Sequence, residues 1–247
     1  MTLRVLVLGG TAQARRLAGL LAADPGVDVT SAVAGRTTAP RRPPGAVRVG
    51  GFGGVDGLTD WLRGNDIDAV IDATHPFATT ITDNAVAATG RAGIPLLILR
   101  RPGWQPRPGD DWHRVATLAD ATTRLPALGR RVFLTTGRTD LTPCAALPGL
   151  WFLLRSVDPP AALPDNVTFV QGTGPFTVAG ELALLRAHRI DVLVTRDSGG
   201  TDTSAKLDAA RAHRIPVLLI SRPTPPDVPI VATEQDAVAW LAALPGP

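Results

Sequence analysis

The sequence predicts a doubly wound α/β fold, in which a parallel sheet carries helices on both faces. Short runs of Val, Ile and Leu, such as "VLVL" at residues 5–8 and "PLLIL" at residues 95–99, show no alternation with polar residues. Strands of this composition are buried on both faces, as in parallel sheets. These runs alternate along the chain with segments of helical length, which is the pattern of a doubly wound sheet.

An internal repeat indicates that the chain contains two such sheets. Residues 67–102 align with residues 190–223, since each reads as a buried strand, a polar loop, a helix and a second strand that closes on Arg-Pro. The starts agree as well, with "RVLVLGG" at 4–10 and "RVFLTTG" at 131–137. We therefore expect two Rossmann-like domains facing a central cleft.

A second matching pair of segments sets the predicted domain boundary. "VATLADATTRLPAL" at 115–128 matches "VATEQDAVAWLAAL" at 231–244, and each segment ends its half of the repeat. The repeat thus predicts one domain over residues 1–128 and a second over residues 129–247.

The individual elements follow from the apolar runs, the polar loops and the capping residues. In the first half the predicted order is strand 4–8, helix 12–23, strand 28–34, strand 46–49, helix 55–64, strand 67–72, helix 78–91 and strand 95–99. In the second half strands are predicted at 131–135, 151–155, 167–170, 191–195 and 216–220. Thr117 and Thr233 are predicted helix N-caps, because each is followed three residues later by Asp.

Composition excludes several classes of protein. Hydrophobic residues make up 45% of the 247 residues and charged residues 19%, which excludes extensive disorder. The one cysteine, Cys144, cannot form an internal disulfide, and no apolar run is long enough to cross a bilayer, so we expect a cytoplasmic protein without a membrane partner. The net charge is only +3 and the basic residues do not cluster with aromatics, which argues against nucleic acid and favours an acidic small molecule.

The first candidate ligand loop is "LGGTAQARRLA" at residues 8–18. In a Rossmann-like half, the strand order reverses between the first strand and the strand that ends in "IDATHPFA", so ligands are expected at the loops after these two strands. Gly9 and Gly10 allow backbone amides to approach a phosphate, and the helix that follows offers its positive N-terminal end, so Gly9, Gly10 and Thr11 are candidate cofactor-binding residues. Because the full G-x-G-x-x-G spacing is missing, a tight turn without a ligand stays open.

The end of the second predicted strand indicates which dinucleotide is preferred. Enzymes that use NAD carry an acidic residue there, whereas this chain has Gly35 and then Arg36. A guanidinium can hold the 2′-phosphate of NADP through two hydrogen bonds, so NADPH is expected as cofactor. The alternative is that Arg36 is an exposed loop residue.

The stretch "IDATHPFA" at residues 71–78 combines a titratable ring with a helix breaker. Pro76 is expected at the first helical position, where its missing N–H has no partner in any case. Thr74 and His75 are then held at the carboxyl end of the strand, over the cleft. His75 can bond the ribose or carboxamide of the cofactor, can donate a proton to the substrate, or can be a capping residue.

The corresponding loop of the second domain is "TRDSGGTDTSAK" at residues 195–206. Asp197, Ser198 and the Gly199-Gly200 pair are candidates for a backbone anion-binding nest, and Lys206 lies about one helical turn further on. Lys206 is the single lysine among 25 basic residues, which suggests either a special role or a surface residue retained by chance.

Two arginines add to the positive charge expected in the second domain. Arg138 and Arg155 each end a predicted strand, and together with Lys206 they suggest a polyanionic ligand. Glu181 opens a predicted helix, and we interpret it as a carboxylate favoured by the helix dipole. No metal site is predicted, because the histidines lack metal-ligand spacing with Cys or Asp.

The motifs "LGGTAQARRLA", "IDATHPFA", "FLTTGR", "VTRDSGG", "KLDAAR" and "IPVLLISRP" together resemble the precorrin-6A reductase family of cobalamin biosynthesis, over nearly the whole chain. The resemblance implies NADPH bound by the first domain and a tetrapyrrole substrate bound with help from the second. It also implies hydride transfer to a carbon-carbon double bond of precorrin-6A, giving precorrin-6B. Neighbouring enzymes of that pathway are implied as further partners.

Several points stay open at this stage. The family usually has Lys at the position of Arg196, which puts the role of that residue in doubt. The proton donor can be His75, Lys206, Asp197 or solvent, with His75 and Lys206 as the catalytic candidates. The alternatives to the main interpretation are a cobalt-containing substrate, a nucleotide-binding transferase and an NADP-sensing module.

If Arg36 holds the 2′-phosphate, Arg36→Ala should weaken NADPH binding by about 1.5–3 kcal/mol, the range for hydrogen bonds to charged groups. NADH binding should hardly change, because NADH lacks this phosphate. Titration of both reduced dinucleotides with both proteins checks this, and an equal loss for the two would show that Arg36 does not recognise the phosphate.

Overall fold

The computed structural model describes residues 2–35, 42–137 and 140–245. Within these ranges the chain forms twelve strands and eight helices in two six-stranded sheets, and every strand pairing is parallel. The predicted fold class, two Rossmann-like α/β units, is therefore confirmed.

The strands and helices have the following bounds. In the first part of the chain they are β1 (Leu3–Leu8), α1 (Ala12–Ala22), β2 (Val27–Val33), β3 (Ala46–Val49), α2 (Gly54–Gly64), β4 (Ala69–Asp72), α3 (Thr79–Ala92), β5 (Leu96–Leu99), β6 (Trp112–Val115) and α4 (Leu118–Leu128). In the second part they are β7 (Arg131–Thr135), α5 (Thr142–Ala145), β8 (Trp151–Ser156), β9 (Val167–Gln171), α6 (Val178–Ala187), β10 (Val192–Arg196), α7 (Ala205–His213), β11 (Val217–Ile220), β12 (Ile230–Val231) and α8 (Glu234–Ala242).

The two sheets have the same strand order. One is β12-β5-β4-β1-β2-β3 and the other is β6-β11-β10-β7-β8-β9, so each strand of the first sheet has a counterpart in the second. In each sheet the order reverses next to the first strand of the repeat, between β1 and β4 and between β7 and β10. This is the strand order of a Rossmann fold, whose ligands bind at the reversal.

The sixth strand of each sheet comes from the other half of the sequence repeat. β6 pairs with β11, although it follows β5 in the chain, and β12 pairs with β5, although it follows β11. The helices go with their strands: α4 packs against β10 and β11, and α8 packs against α1 and β5. The two halves of the repeat thus exchange their last strand and helix.

This exchange corrects the predicted domain boundary. One compact unit consists of Met1–Pro102 and Pro223–Pro247, and the other of Gly103–Arg222, instead of residues 1–128 and 129–247. The repeat shows which segments are alike, but likeness does not say which sheet a segment joins. We call these the first and the second unit.

Apolar burial explains why these segments form strands. Val5, Leu6 and Val7 of β1 are fully buried, as are the three central residues of β7, because helices cover both faces of each sheet. The exchanged helix α8 completes the first core, in which Ala237 and Leu241 lie with Leu17 and Leu21 of α1.

The helix starts follow the capping pattern seen in the sequence. Thr117 accepts a hydrogen bond from the backbone N–H of Asp120, whose carboxylate bonds back to Thr117, which makes a complete capping box. Thr233 likewise accepts from the N–H of Asp236. Both predicted caps are confirmed.

No helix in the described ranges is long and apolar enough to cross a membrane.

The exchange predicts where core substitutions act. Leu241→Ala in α8 should cost about 2–5 kcal/mol of unfolding free energy, as is usual for a buried leucine. Amide hydrogen exchange should then rise in β1 and β5 of the first unit. Leu125→Ala, at the matching position of α4, is the control and should raise exchange in β10 and β11. The opposite assignment of the two effects would contradict the exchange.

Candidate active site

A cavity of about 430 Å³ lies at the carboxyl ends of the strands of the first unit. It is bordered by the loops after β1, β2, β3 and β4 and by the first turns of α3. Its lining residues are Leu8, Gly9, Gly10, Ala32, Val33, Ala34, Gly50, Gly51, Phe52, Gly53, Gly54, Thr74, His75, Phe77, Ala78, Thr79, Thr80, Ile81 and Asn84. The cavity thus lies where the strand order reverses, as a Rossmann-like unit requires.

The loop after β1 lines the cavity with two glycines, Gly9 and Gly10, whose backbone is not covered by side chains. Gly10 has φ of +105°, which side-chain-bearing residues rarely adopt, so glycine is required here for conformation. Thr11 caps α1 by accepting from the N–H of Ala14, and its hydroxyl donates to the carbonyl of Ala73 at 2.8 Å. Thr11 therefore connects the loops after β1 and β4.

The loop after β4 is held from within by the buried carboxylate of Asp72. One oxygen accepts from the backbone N–H of Thr74 at 2.9 Å, and the other accepts from the hydroxyl of Thr82 on α3 at 2.6 Å. Arg100 donates to the carbonyl of Pro76 at 3.2 Å. Burial lowers the pKa of Arg100, and the charge of Asp72 opposes this change.

Pro76 does not open helix α3, which is a correction to the sequence prediction. The helix begins at Thr79, and Pro76 is the second residue of a tight turn closed by a hydrogen bond from the N–H of Ala78 to the carbonyl of His75, at 2.7 Å. The fixed φ of proline suits that turn position as well as it suits a helix start.

His75 is oriented by the same turn. Its Nδ1 accepts a hydrogen bond from the backbone N–H of Phe77 at 3.3 Å. An accepting ring nitrogen carries no proton, so this geometry fits the neutral imidazole with its proton on Nε2. The ring lines both the large cavity and a second cavity of about 30 Å³ beside Asp72 and Arg100, which has room for about one water molecule.

The large cavity is suited to an anion in spite of its neutral lining. None of the described residues that line it carries a charged side chain. Helices α2 and α3 begin at its wall, and neither of them has a side-chain cap at its N-terminus. Free N–H groups at helix starts bind phosphates, so backbone donors can hold the phosphates of a nucleotide here.

The wall formed by residues 50–54, "GGFGG", was missed in the sequence. Arg48 on β3 donates to the carbonyls of Gly50 at 2.7 Å and Gly51 at 2.9 Å. Its guanidinium lies 3.8 Å from the ring centroid of Phe52. Four glycines directly after a strand of this sheet were the signal that could have identified the loop.

The sequence-predicted cofactor residues are only partly brought together. Gly9, Gly10, Thr74 and His75 line the large cavity, whereas Thr11, Gly35 and Pro76 do not. Arg36 lies outside the described residues.

In the second unit the strand ends carry buried charges. Arg155 at the end of β8 donates to Glu181 of α6 at 2.8 Å, and both side chains are buried. The Arg155 guanidinium also lies 3.7 Å from the ring centroid of Phe176. Glu181 lies in the first turn of α6, as the helix-dipole interpretation expects, but it is also the buried partner of Arg155, which the sequence did not indicate.

Asp197 is an internal anchor in this unit. Its carboxylate accepts from the backbone N–H of Trp104 at 2.9 Å and forms ion pairs with Arg114 at 3.2 Å and Arg222 at 3.8 Å. The indole N–H of Trp104 donates to the carbonyl of Gly200 at 2.8 Å. Trp104, which sequence reasoning missed inside a Pro-rich loop, therefore connects two parts of the predicted ligand loop.

Lys206 is buried, so the alternative of a surface lysine is wrong. Its ammonium donates to the carbonyl of Thr203 at 2.5 Å and lies 4.8 Å from the ring centroid of Trp104. Burial, and then the charge of Arg155, lower the pKa of Lys206 to about 7, while Glu181 opposes the change.

Other predicted residues of this unit are placed as follows. Ser198 and Gly199 follow Asp197 in the loop after β10, and the loop continues to Lys206 at the start of α7. Burial lowers the pKa of Arg196 at the end of β10. Arg138 lies outside the described residues. No group of three or more His, Cys, Asp or Glu within the described chain could hold a metal ion.

The Asp72 contacts predict a linked loss of stability and ligand binding. Asp72→Ala removes the acceptor for Thr74 and Thr82 and should cost about 1–3 kcal/mol of unfolding free energy. Dinucleotide affinity should fall too, because the loop that carries His75 loses its support. Asp83→Ala, which removes an exposed carboxylate from α3, is the control. Unchanged dinucleotide affinity in the Asp72 variant would show that the loop does not contact the ligand.

Comparisons with known proteins agree with this arrangement. The family model "Precorrin-6x reductase CbiJ/CobK" matches residues 4–242. A precorrin-6A reductase from Rhodococcus erythropolis is 56% identical and covers 98% of this chain and 98% of its own length. A cobalt-precorrin-6A reductase from Salmonella typhimurium is 31% identical, over 90% of this chain and 88% of its own. A solved structure of CobK precorrin-6A reductase is similar with a TM-score of 0.91, at 45% identity and with 98% and 96% of the two chains covered. This chain therefore belongs to the precorrin-6x reductase family.

Proposed function

We propose that this chain reduces a carbon-carbon double bond of precorrin-6A to give precorrin-6B, with NADPH as the cofactor. The observation that carries the proposal is the large cavity of the first unit, bordered by a glycine loop and by helix starts without side-chain caps, in a chain that belongs to a family of reductases. When bound, the nicotinamide supplies the hydride; the protein supplies orientation and electrostatics.

Different residues of the first unit are proposed to contact different parts of the cofactor. Gly9 and Gly10 leave the backbone accessible to phosphate, and the starts of α2 and α3 offer further N–H donors. Thr74 and His75 line the same cavity as hydrogen-bonding side chains. Arg36 remains the proposed partner of the 2′-phosphate that distinguishes NADPH from NADH.

The geometry of His75 supports contact with the cofactor over proton donation. The bond from Phe77 to Nδ1 fits the neutral ring, which can donate from Nε2 to a ribose or carboxamide oxygen. A neutral imidazole is a poor source of the proton that the second carbon of the double bond needs. Among the other candidates, Asp197 is already bound by Trp104, Arg114 and Arg222, which leaves Lys206 and solvent.

The second unit is proposed to bind the acetate and propionate groups of the tetrapyrrole. The N–H and the hydroxyl of Ser198 both donate to the carbonyl of Arg196, which fixes the loop after β10 beside Gly199. Ser198, Gly199 and Arg138 remain proposed substrate-binding residues. Arg155 and Lys206 contribute positive charge from beneath the surface, because both side chains are buried.

We propose the metal-free substrate over the cobalt-containing one. The relative named precorrin-6A reductase is 56% identical to this chain, whereas the relative named cobalt-precorrin-6A reductase is 31% identical. A cytoplasmic location and association with neighbouring enzymes of the cobalamin pathway also remain parts of the proposal.

Turnover of reduced nicotinamide tests the proposal. Purified protein with precorrin-6A should oxidise NADPH faster than NADH, and should turn over cobalt-precorrin-6A more slowly. Binding of NADPH without oxidation in the presence of either tetrapyrrole would favour a sensor, and no binding of NADPH would favour a different nucleotide enzyme.

A variant pair locates the cofactor in the first unit. Gly10→Ala forces a side chain into a left-handed backbone and should raise the KM for NADPH, while binding of the tetrapyrrole stays unchanged. Gly19→Ala is the matched control, since a Cβ at this position of α1 meets no neighbour. Equal behaviour of the two variants would place the cofactor elsewhere.

A further inference from the structure

Three buried charges in the second unit have no explanation in stability alone. Glu181, Arg155 and Lys206 are 2%, 8% and 3% exposed. Removing charges from water is costly, and well-packed apolar residues often serve stability as well or better. Polar groups retained at such a cost are expected at functional sites. These three lie near the carboxyl end of the sheet, where an α/β unit binds its ligand.

Only one of the two carboxylate oxygens of Glu181 accepts a hydrogen bond within the described residues. Oε1 accepts from Arg155, but Oε2 has no hydrogen-bond partner within the described ranges. A buried acceptor without a donor is unfavourable, so hydrogen bonding does not fully account for this side chain. Helix α6, which carries Glu181, packs against helix α7, which carries Lys206, so the negative charge of Glu181 also acts on Lys206.

The charge of Lys206 depends on this carboxylate. Burial and the positive charge of Arg155 both lower the pKa of Lys206, and the negative charge of Glu181 raises it. The resulting pKa of Lys206 is about 7. Asp197, at the end of β10, contacts the same Trp104, but its charge is matched by Arg114 and Arg222. Glu181 is therefore the carboxylate that favours the charged form of Lys206.

The ammonium of Lys206 in turn supports the loop of residues 199–204. The carbonyl of Thr203 accepts from Lys206, and the carbonyl of Gly200 accepts from the indole of Trp104, over whose ring the ammonium lies. Gly199 and Gly200 have φ of +62° and +74°, which favours glycine. Because neither residue has a side chain, contacts from elsewhere must hold this part of the loop. The Lys206–Trp104 pair holds the loop at two points.

We propose that Glu181 and Lys206 are positioning residues of the substrate-binding half: Glu181, Arg155 and Lys206 form one buried group of charges, in which the Lys206 ammonium holds loop 199–204 in the shape that receives a carboxylate of the tetrapyrrole. Lys206 thus acts through the loop and does not touch the substrate, so that, of the two proton sources left above, solvent is the donor. The identity of the ligand rests on the proposed function, whereas the coupling of the two charges does not.

The single lysine of the chain allows a direct test of the coupling. Selective ¹⁵N labelling of lysine gives one side-chain signal, and its titration reports the charge of Lys206. Glu181→Gln should lower the titration midpoint, because the opposing negative charge is lost. Arg155→Met should raise it, because a neighbouring positive charge is lost. Midpoints that stay in place, or that move in the same direction, would overturn the coupling.

Hydrogen exchange tests the step from the lysine to the loop. In Glu181→Gln, the backbone amides of residues 199–204 should exchange faster than in the wild type at a pH between the variant's midpoint and the wild-type midpoint, and should recover protection below the variant's midpoint. Glu181→Asp, which keeps the negative charge, should restore part of the protection. Exchange that does not follow the lysine titration would show that the ammonium does not hold the loop.

Kinetics test the step from the loop to the substrate. In Glu181→Gln the KM for precorrin-6A should be about fivefold higher than in the wild type at a pH between the variant's midpoint and the wild-type midpoint, as for the loss of one hydrogen bond of about 1 kcal/mol. It should recover at lower pH, and the KM for NADPH should not change. A loss confined to kcat would instead make Lys206 a proton donor and would overturn the positioning role.

Two tryptophan variants separate loop support from general packing. Trp104→Phe keeps an aromatic face but releases the carbonyl of Gly200, so it should raise the KM for precorrin-6A. Trp112→Phe is the matched control, because its indole N–H has no partner in the described chain. Equal effects of the two variants would contradict the role of the loop. If no tetrapyrrole is reduced while the lysine midpoints still move in opposite directions, the proposed function fails and the charge coupling stands.

Discussion

The parallel pairing of β1 with β4 is the constraint on which the first unit depends. Leu8 lies opposite Asp72 in the register, so both strands end at the same level and their loops leave the sheet side by side. Beyond the two strands, the N–H of Ala73 donates to the carbonyl of Leu8, which continues the sheet hydrogen bonding. The hydroxyl of Thr11 donates to the carbonyl of Ala73 and so connects the two loops. Without this register, Gly10 and His75 would not share a cavity.

The two units share one topology but differ in the charge of the side chains near their strand ends. Around the large cavity of the first unit, the described lining relies on backbone donors and neutral side chains. Near the strand ends of the second unit, Arg155, Glu181, Asp197 and Lys206 are all buried. Backbone donors suit a ligand whose phosphates are always charged, since they require no desolvation of a protein charge. Among these groups, burial and the charge of Arg155 lower the pKa of Lys206 to about 7.

Much of the fold could be predicted from sequence because its causes are local. Continuous apolar runs mark strands buried on both faces, and a Thr followed three residues later by Asp marks the starts of α4 and α8. The position of Gly9, Gly10, Thr74 and His75 around one cavity followed from the reversal of strand order.

Other features of the molecule do not have local causes. Glu181 has the sequence context of an exposed helix start, and only tertiary packing places Arg155 against it. Proline is favoured both in turns and at helix starts, so sequence alone could not separate them for Pro76.

The exchange of terminal strands has a consequence for the order in which the molecule can assemble during synthesis. During synthesis, β5 ends at Leu99 and α1 at Ala22, whereas β12, which pairs with the edge of β5, begins only at Ile230, and α8, which covers α1, begins at Glu234. The edge of β5 therefore stays unpaired until the whole of the second unit and the segment after it have been made. A nascent chain of this enzyme is thus more exposed to aggregation than a tandem of two self-contained domains would be.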